Sequence, residues 1–133
     1  MTTAPGEQTP YDALGGREFF VQLVAAFYRG VASDDILRPM YPEADLRPAE
    51  ERLRMFLEQY WGGPTTYSDE RGHPRLRMRH APYAIGEVAR DRWLLHMRAA
   101  VDEQHLDPEL ETMLWSYLSN AAQAMVNTND VGA

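Results

Sequence analysis

The chain has 133 residues, a formal net charge of −7, 44% hydrophobic residues and 25% charged residues. A chain of this length forms one domain around a single core, and this composition is typical of a globular protein. Cysteine is absent, which excludes disulfides, thiolate metal sites and thiol nucleophiles. All 13 basic residues are arginine, so lysine-based covalent chemistry is excluded as well.

The charge and hydropathy patterns limit the partners. The negative net charge argues against nucleic acid, because the summed field repels a polyanion. No apolar run is long enough for a membrane span, and the first twenty residues lack the pattern of a secretory signal. We therefore expect a cytoplasmic protein.

The first predicted elements are an arm and a long helix. Residues 1–10 are small and polar with Pro and Gly, which predicts a flexible arm; a flexible tail is predicted over 128–133, with one domain over 11–127 between them. A helix is predicted over 17–32 because apolar residues recur there at helical spacing. These residues are Phe19, Phe20, Leu23, Val24, Phe27, Tyr28 and Val31.

Two further helices are predicted in the first half of the chain. Ser33-Asp34-Asp35 offers an N-cap for a short helix through Met40, which Pro39 and Pro42 interrupt. Pro48 suits a first helical position, and the helix that follows ends at Gly62-Gly63-Pro64. After it, residues 64–82 have no helical period and are predicted to be mostly loop with one short turn near 76–80, a length that is more often functional than accidental.

The second half of the chain contains two more helical patterns. One runs from about Glu87 to Gln104, and the other starts at Asp107-Pro108 and continues to about Asn127. No segment has a convincing strand pattern, since the alternating tract Arg75–His80 is short and lies between prolines. The predicted fold class is all-α.

His80 differs from the other three histidines in its surroundings. It ends the long loop, follows Arg75, Arg77 and Arg79, and precedes an apolar helical face. An imidazole between a basic cluster and an apolar face suits haem, which needs one axial ligand, cations for its propionates and apolar contacts for its macrocycle. The alternative is a solvated charge run that His80 caps, and spacing alone favours this alternative.

The other histidine pattern is set aside. Glu70 and His73 have the i, i+3 spacing of a di-iron motif, but Gly72 and Pro74 prevent the helix that this motif needs.

Three polar aromatic residues are more informative about a binding site. Tyr28 and Trp93 lie on predicted core faces, where a phenol or an indole needs a hydrogen-bond partner, and Tyr41 follows the short helix. Backbone carbonyls are the default partners; a shared cavity is the other interpretation.

At this point the sequence resembles a known family, the group II (O-type) truncated haemoglobins of the two-over-two globins. The resemblance extends from about Tyr11 to Asn127. It depends on Tyr11-Asp-Ala-Leu-Gly-Gly16, Phe27-Tyr28, Tyr41-Pro42, Phe56-Leu-Glu-Gln-Tyr-Trp-Gly-Gly-Pro64, the segment from Gly72 to Tyr83, Asp91-Arg-Trp93-Leu, and Met125-Val-Asn127.

The resemblance implies a shortened globin fold, a two-over-two helical sandwich around haem b (iron protoporphyrin IX). It implies His80 as the proximal iron ligand. The distal ligand-binding residues would be Tyr28, Tyr41 and Trp93. The pocket residues would be Ala49, Leu53, Phe56, Ile85 and Met97, and the propionate-binding residues Arg52, Tyr67 and Arg79.

The implied function is binding of dioxygen and other small ligands, such as diatomic gases and small anions, with strong distal hydrogen bonding. An enzyme is the alternative, either a nitric oxide dioxygenase supplied by a reductase or a peroxidase-like scavenger, and it would use the same residues. A haem-free helical interaction module is the third interpretation. Tyr11, Trp61 and Trp115 are candidates for a homodimer contact, with core packing as the alternative.

Overall fold

A computed structural model describes residues 8–73, Arg75, His80 and residues 84–128 of the chain. Within these residues all regular structure is helical. The helices are α1 (Pro10–Leu14), α2 (Gly16–Ala32), a 3₁₀ helix (Arg38–Met40), α3 (Arg47–Tyr60), α4 (Thr66–Arg71), α5 (Glu87–Glu103) and α6 (Pro108–Met125). None of these described helices is long and apolar enough to cross a membrane.

The four long helices form two contacting pairs. Helix α2 packs against α3, α6 packs against α5, and α2 joins the pairs through its contact with α5. The predicted all-α class is confirmed. Helices α2 and α5 match their predicted bounds to within one residue, whereas α6 ends at Met125, two residues before the predicted end.

Helix α2 is central because it packs against both α3 and α5. Phe20, Leu23, Val24, Phe27 and Val31 are fully buried, and they recur at the spacing that places side chains on the inward side of a helix. Each large apolar side chain of this kind stabilises the fold by about 1.5–3 kcal/mol on burial. The core is completed by fully buried residues from the other long helices, which are Leu57, Met97, Val101, Leu114 and Leu118.

Helix α4 corrects the prediction of a mostly loop segment over 64–82. Thr66–Arg71 is helical, and the side chain of Gln59 on α3 holds it: Ser68 N donates to Gln59 Oε1 (2.9 Å) and Gln59 Nε2 donates to Ser68 Oγ (2.7 Å). Six residues are too few for a helical period, so a contact from a distant residue stabilises this helix. The short turn predicted near 76–80 lies, except for His80, outside the described residues.

Helix α1 begins inside the segment predicted as an arm. Thr9 and Asp12 form a reciprocal capping box at its start, which satisfies backbone N–H groups that would otherwise lack partners. The N–H of Tyr11 donates to the carbonyl of Trp61 (2.8 Å). This bond ties the start of the domain to the end of α3.

Asp34 caps a turn, as predicted, but the helix that follows is shorter than expected. Its Oδ1 accepts from the N–H groups of Ile36 (2.8 Å) and Leu37 (2.9 Å), and only Arg38–Met40 then forms a 3₁₀ helix. Its Oδ2 accepts from His96 Nε2 on α5 (2.6 Å). The buried carboxylate therefore links the turn to α5.

Gly30 allows α2 to approach α5 at this point. A Cβ atom at position 30 would lie 2.3 Å from Nδ1 of His96, far inside van der Waals contact. The imidazole of His96 is held on its other side by Asp34. A side chain at position 30 would therefore displace the ring and break its bond to the carboxylate.

We expect Gly30→Ala to lower the free energy of unfolding by about 0.5–2 kcal/mol. Loss of the charged hydrogen bond costs about 1.5–3 kcal/mol, and the higher helix propensity of alanine offsets about 1 kcal/mol of that. Denaturant unfolding measures the change. In a His96→Ala background the same substitution should instead stabilise the protein, and destabilisation in both backgrounds would contradict the proposed clash.

Candidate binding site

A cavity of about 570 Å³ lies between the helix pairs, within the usual size range of small-molecule and cofactor sites. Its lining is contributed by all the long helices, by α4 and by the loops between them. The lining residues are Tyr28, Leu37, Met40, Tyr41, Pro42, Glu43, Ala49, Arg52, Leu53, Phe56, Leu57, Tyr67, Arg71, His80, Ile85, Ala89, Arg90, Trp93, Tyr117, Leu118, Ala121, Ala122 and Met125.

His80 is the histidine that lines this cavity; the structure also describes the other three, and none of them belongs to the lining. The residue is partly buried. Its backbone carbonyl accepts a hydrogen bond from Nδ2 of Asn127 (3.3 Å). The cavity thus has one imidazole, supplied by the segment that precedes α5.

Two of the four phenols of the lining, those of Tyr28 and Tyr41, contact each other. The rings of Tyr28 and Tyr41 meet edge to face with centroids 5.6 Å apart. Burial raises the pKa of Tyr28, and the neighbouring phenol of Tyr41 raises it further. Burial also raises the pKa of Tyr41. Both phenols therefore stay protonated at neutral pH, and each keeps an O–H group that can donate a hydrogen bond.

Trp93 is the third of the predicted distal residues. It lies on α5, it lines the cavity, and its ring contacts that of buried Phe27 with centroids 5.2 Å apart. A side chain anchored on a long packed helix has little freedom to move. Trp93 is therefore carried by a packed helix, whereas Tyr41 lies on the loop after the 3₁₀ helix.

Four of the five predicted pocket residues belong to the lining. Ala49, Leu53 and Phe56 follow one face of α3, and Ile85 precedes α5. Ala49 is buried and has a methyl side chain, so it neither donates a hydrogen bond nor occupies much of the cavity. Met97 is different: it is fully buried in the core and is not a lining residue. Helical spacing places it on the face of Trp93, but spacing does not reveal which residue of a face borders an empty space.

The three residues predicted to bind the haem propionates differ in their positions relative to the cavity. Arg52 lines the cavity, and its Nη2 lies 2.9 Å from Oε1 of Glu43. Tyr67 is buried and meets Phe56 edge to face at 5.7 Å. Arg79 lies outside the described residues. A carboxylate entering beside Arg52 would therefore share this guanidinium with Glu43.

Sequence reasoning missed several lining residues. Arg71 of α4 lies over the Tyr67 ring, 5.9 Å from its centroid, and Arg90 of α5 donates to Asp91 and Gln123. Tyr117 and Met125 of α6 also line the cavity and were not predicted as pocket residues. The apolar period of α6 correctly predicted a helix with one inward face. Helix α4 is too short to show such a period, so the sequence did not predict that Arg71 would face the cavity.

A chain whose described regular structure is all helical, with one imidazole on the lining of a mainly apolar cavity between two helix pairs, has the architecture of a globin. The family model for bacterial-like globins matches residues 9–127. The chain belongs to this family. The predicted shortened, two-over-two globin fold and the resemblance to group II truncated haemoglobins are confirmed.

Three relatives illustrate the similarity. The chain is 41% identical over 121 residues to "Group 2 truncated hemoglobin YjbI" of Bacillus subtilis (strain 168), covering 91% of this chain and 90% of that protein. It is 66% identical to a thermostable haemoglobin of the actinobacterium Thermobifida fusca, with a TM-score of 0.90 and coverage of 91% and 98%. It is 42% identical to a truncated oxygen-avid haemoglobin of Bacillus subtilis, with a TM-score of 0.84 and coverage of 90% and 100%.

Proposed function

We propose that the protein holds haem b in this cavity and binds dioxygen and other small ligands at the haem iron. The observation that carries the proposal is the meeting of His80 with Tyr28, Tyr41 and Trp93 on the lining of one mainly apolar cavity. A relative of this family is described as an oxygen-avid haemoglobin, which supports dioxygen as the ligand.

The residues present fit haem. One imidazole matches the single protein ligand that a five-coordinate haem iron requires. Leu53, Phe56 and Ile85 offer apolar contacts to a macrocycle. Arg52 and Arg71 offer guanidinium groups to propionates. Arg79, which the resemblance adds to this set, belongs to the proposal on that ground alone.

Haem, when bound, supplies an iron that takes up dioxygen reversibly. The chain supplies the rest of the binding chemistry. Tyr28 and Tyr41 offer O–H donors on the cavity lining, and Trp93 offers an indole N–H from α5. Donors fixed before the ligand arrives stabilise a polar ligand without reorganisation. Ala49 leaves the ligand side open, so we expect fast entry and slow release.

We expect Trp93→Phe to raise the dioxygen dissociation rate constant more than Tyr41→Phe does. A hydrogen bond to a charged acceptor contributes about 1.5–3 kcal/mol, so loss of the rigid indole donor should accelerate release by about 10- to 150-fold. Stopped-flow displacement of dioxygen by carbon monoxide measures the rate. Trp115→Phe, on α6 and outside the cavity lining, is the matched control. Equal rates in wild type and Trp93→Phe would remove Trp93 from the ligand network.

A redox enzyme is the second candidate, and an aromatic pair favours it. Tyr117 of the cavity lining stacks on exposed Tyr60, with centroids 3.9 Å apart and planes within 23°. A stacked pair of this kind offers electrons a path between the cavity and the surface. In a nitric oxide dioxygenase, nitric oxide, dioxygen and one electron from a cytoplasmic reductase give nitrate. Sustained turnover with a reductant would support this function, and rapid autoxidation without turnover would oppose it.

The homodimer stays a prediction. Two of its candidate residues have partners within the chain, since Tyr11 stacks on Phe20 with centroids 5.6 Å apart and Trp61 is buried. Trp115 is partly buried, and the guanidinium of Arg98 lies 4.8 Å from its ring centroid. Sedimentation at micromolar concentration would measure the state of assembly.

A further inference from the structure

Asn127 lies two residues after the end of α6 and forms hydrogen bonds with both His80 and Ile85. Its Nδ2 donates to the carbonyl of His80 (3.3 Å), and its Oδ1 accepts from the N–H of Ile85 (2.8 Å). Its own backbone N–H donates to the carbonyl of Ile85 (2.8 Å). The three bonds place one amide side chain between the two described ends of residues 80–85.

Only a carboxamide satisfies this arrangement at this length. It has a donor and an acceptor on the same planar group, whereas aspartate has acceptors alone and leucine has neither. The backbone bond to Ile85 fixes the position from which the side chain extends. Asn127 thus restrains the backbone of His80 relative to Ile85, which itself lines the cavity.

We propose that Asn127 is a positioning residue for His80. It is not itself a lining residue, and it acts by holding the backbone from which the imidazole extends. Part of this inference, the effect on an iron–imidazole bond, rests on the proposed function. The other part, restraint of the His80 backbone relative to Ile85 by the amide, is independent of haem.

The backbone restraint is tested in the protein without added haem. Asn127→Ala removes the acceptor for the Ile85 N–H, so its hydrogen exchange should accelerate about tenfold, the factor that one hydrogen bond provides. Asn127→Asp keeps an acceptor for Ile85 and should leave this exchange near its wild-type rate. Asn120→Ala, at an exposed asparagine of α6, is the matched control. Unchanged exchange in Asn127→Ala would overturn the restraint.

The effect on His80 is tested after reconstitution with haem. Asn127→Asp loses the donor to the His80 carbonyl, and so does Asn127→Ala. Both variants should broaden and shift the iron–histidine stretching band in the resonance Raman spectrum. Both should also lose haem about tenfold faster to an apomyoglobin acceptor, the lower end of the effect seen for groups that orient metal ligands. Asn120→Ala should match wild type in both measurements.

The two failures are distinguishable. If wild-type protein takes up no haem or shows no iron–histidine band, the proposed function fails, and the Ile85 exchange still decides whether Asn127 restrains the segment. If wild type shows the band and both Asn127 variants keep its frequency, width and rate of haem loss, positioning by Asn127 is wrong. If Asn127→Ala does not fold, Asn127→Asp still decides the outcome, since it retains the Ile85 bond.

Discussion

Replacement of His80 by glycine is expected to abolish tight haem binding. Of the four histidines, it is the one that lines the cavity, so no second imidazole is at hand to replace it. Loss of a direct metal ligand should weaken haem affinity by more than about 100-fold, since even the groups that merely orient ligands change it by 10- to 100-fold. Titration of the Soret band measures the affinity. Added free imidazole should restore a histidine-like spectrum in this variant.

The matched control for this experiment is His105→Gly. His105 is exposed and adopts a left-handed backbone (φ 52°), which glycine accepts without strain. We expect this variant to bind haem as wild type does. If the haem affinity and the Soret spectrum of His80→Gly equal those of wild type, His80 is not the iron ligand. The proposed function would then be wrong.

The second large effect is expected at Asp34. Its side chain is 1% exposed and accepts from three buried or partly buried donors, the N–H groups of Ile36 and Leu37 and Nε2 of His96. Nη1 of the more exposed Arg92 is a fourth donor, at 3.5 Å. Asp34→Ala leaves these buried groups without their acceptor, at about 1–3 kcal/mol for each unsatisfied group. We expect the free energy of unfolding to fall by about 3 kcal/mol in denaturant titration. Asp35→Asn is the control, because its carboxylate is exposed and should change stability by less than about 0.5 kcal/mol.

Asp34 also makes stability depend on pH. Burial alone would raise the pKa of its carboxyl, but hydrogen bonds from His96, Leu37 and Ile36 and the charge of Arg92 lower it to about 2 from 3.8. The folded state therefore holds this proton less tightly than the unfolded state does. The contribution to stability is complete above about pH 4 and is lost as pH falls toward 2. Asp34→Asn should lose less stability than wild type across this window, and equal losses would contradict the assignment.

The sequence predicted most of the fold for a simple physical reason. Helices α2, α5 and α6 have 17 or 18 residues each, which is long enough for the repeat of apolar residues to be recognised in the sequence. Helix α4 has six residues and depends on the side chain of Gln59, which no local pattern reveals. Helix α1 could have been predicted, because Thr9 and Asp12 have the spacing of a capping box.

The site was less accessible to sequence reasoning. Spacing alone favoured a solvated charge run at His80, and only the resemblance to a family assigned this residue to a pocket. The hydrogen bond between His96 and Asp34 spans 62 positions of the chain, so the cap at Asp34 was predictable and its partner was not. Arg71 and Arg90 were missed because an arginine on a helix is most often solvated, and only tertiary structure brings these two to the cavity.

The position of Trp93 also has an optical consequence. An indole in the cavity wall lies within energy-transfer distance of any chromophore that enters, so its ultraviolet emission should be quenched when haem binds. Trp115 lies outside the cavity lining, beside Arg98, and offers a comparison within the same chain. The protein thus contains its own fluorescent reporter of occupancy, one that needs no label attached to it.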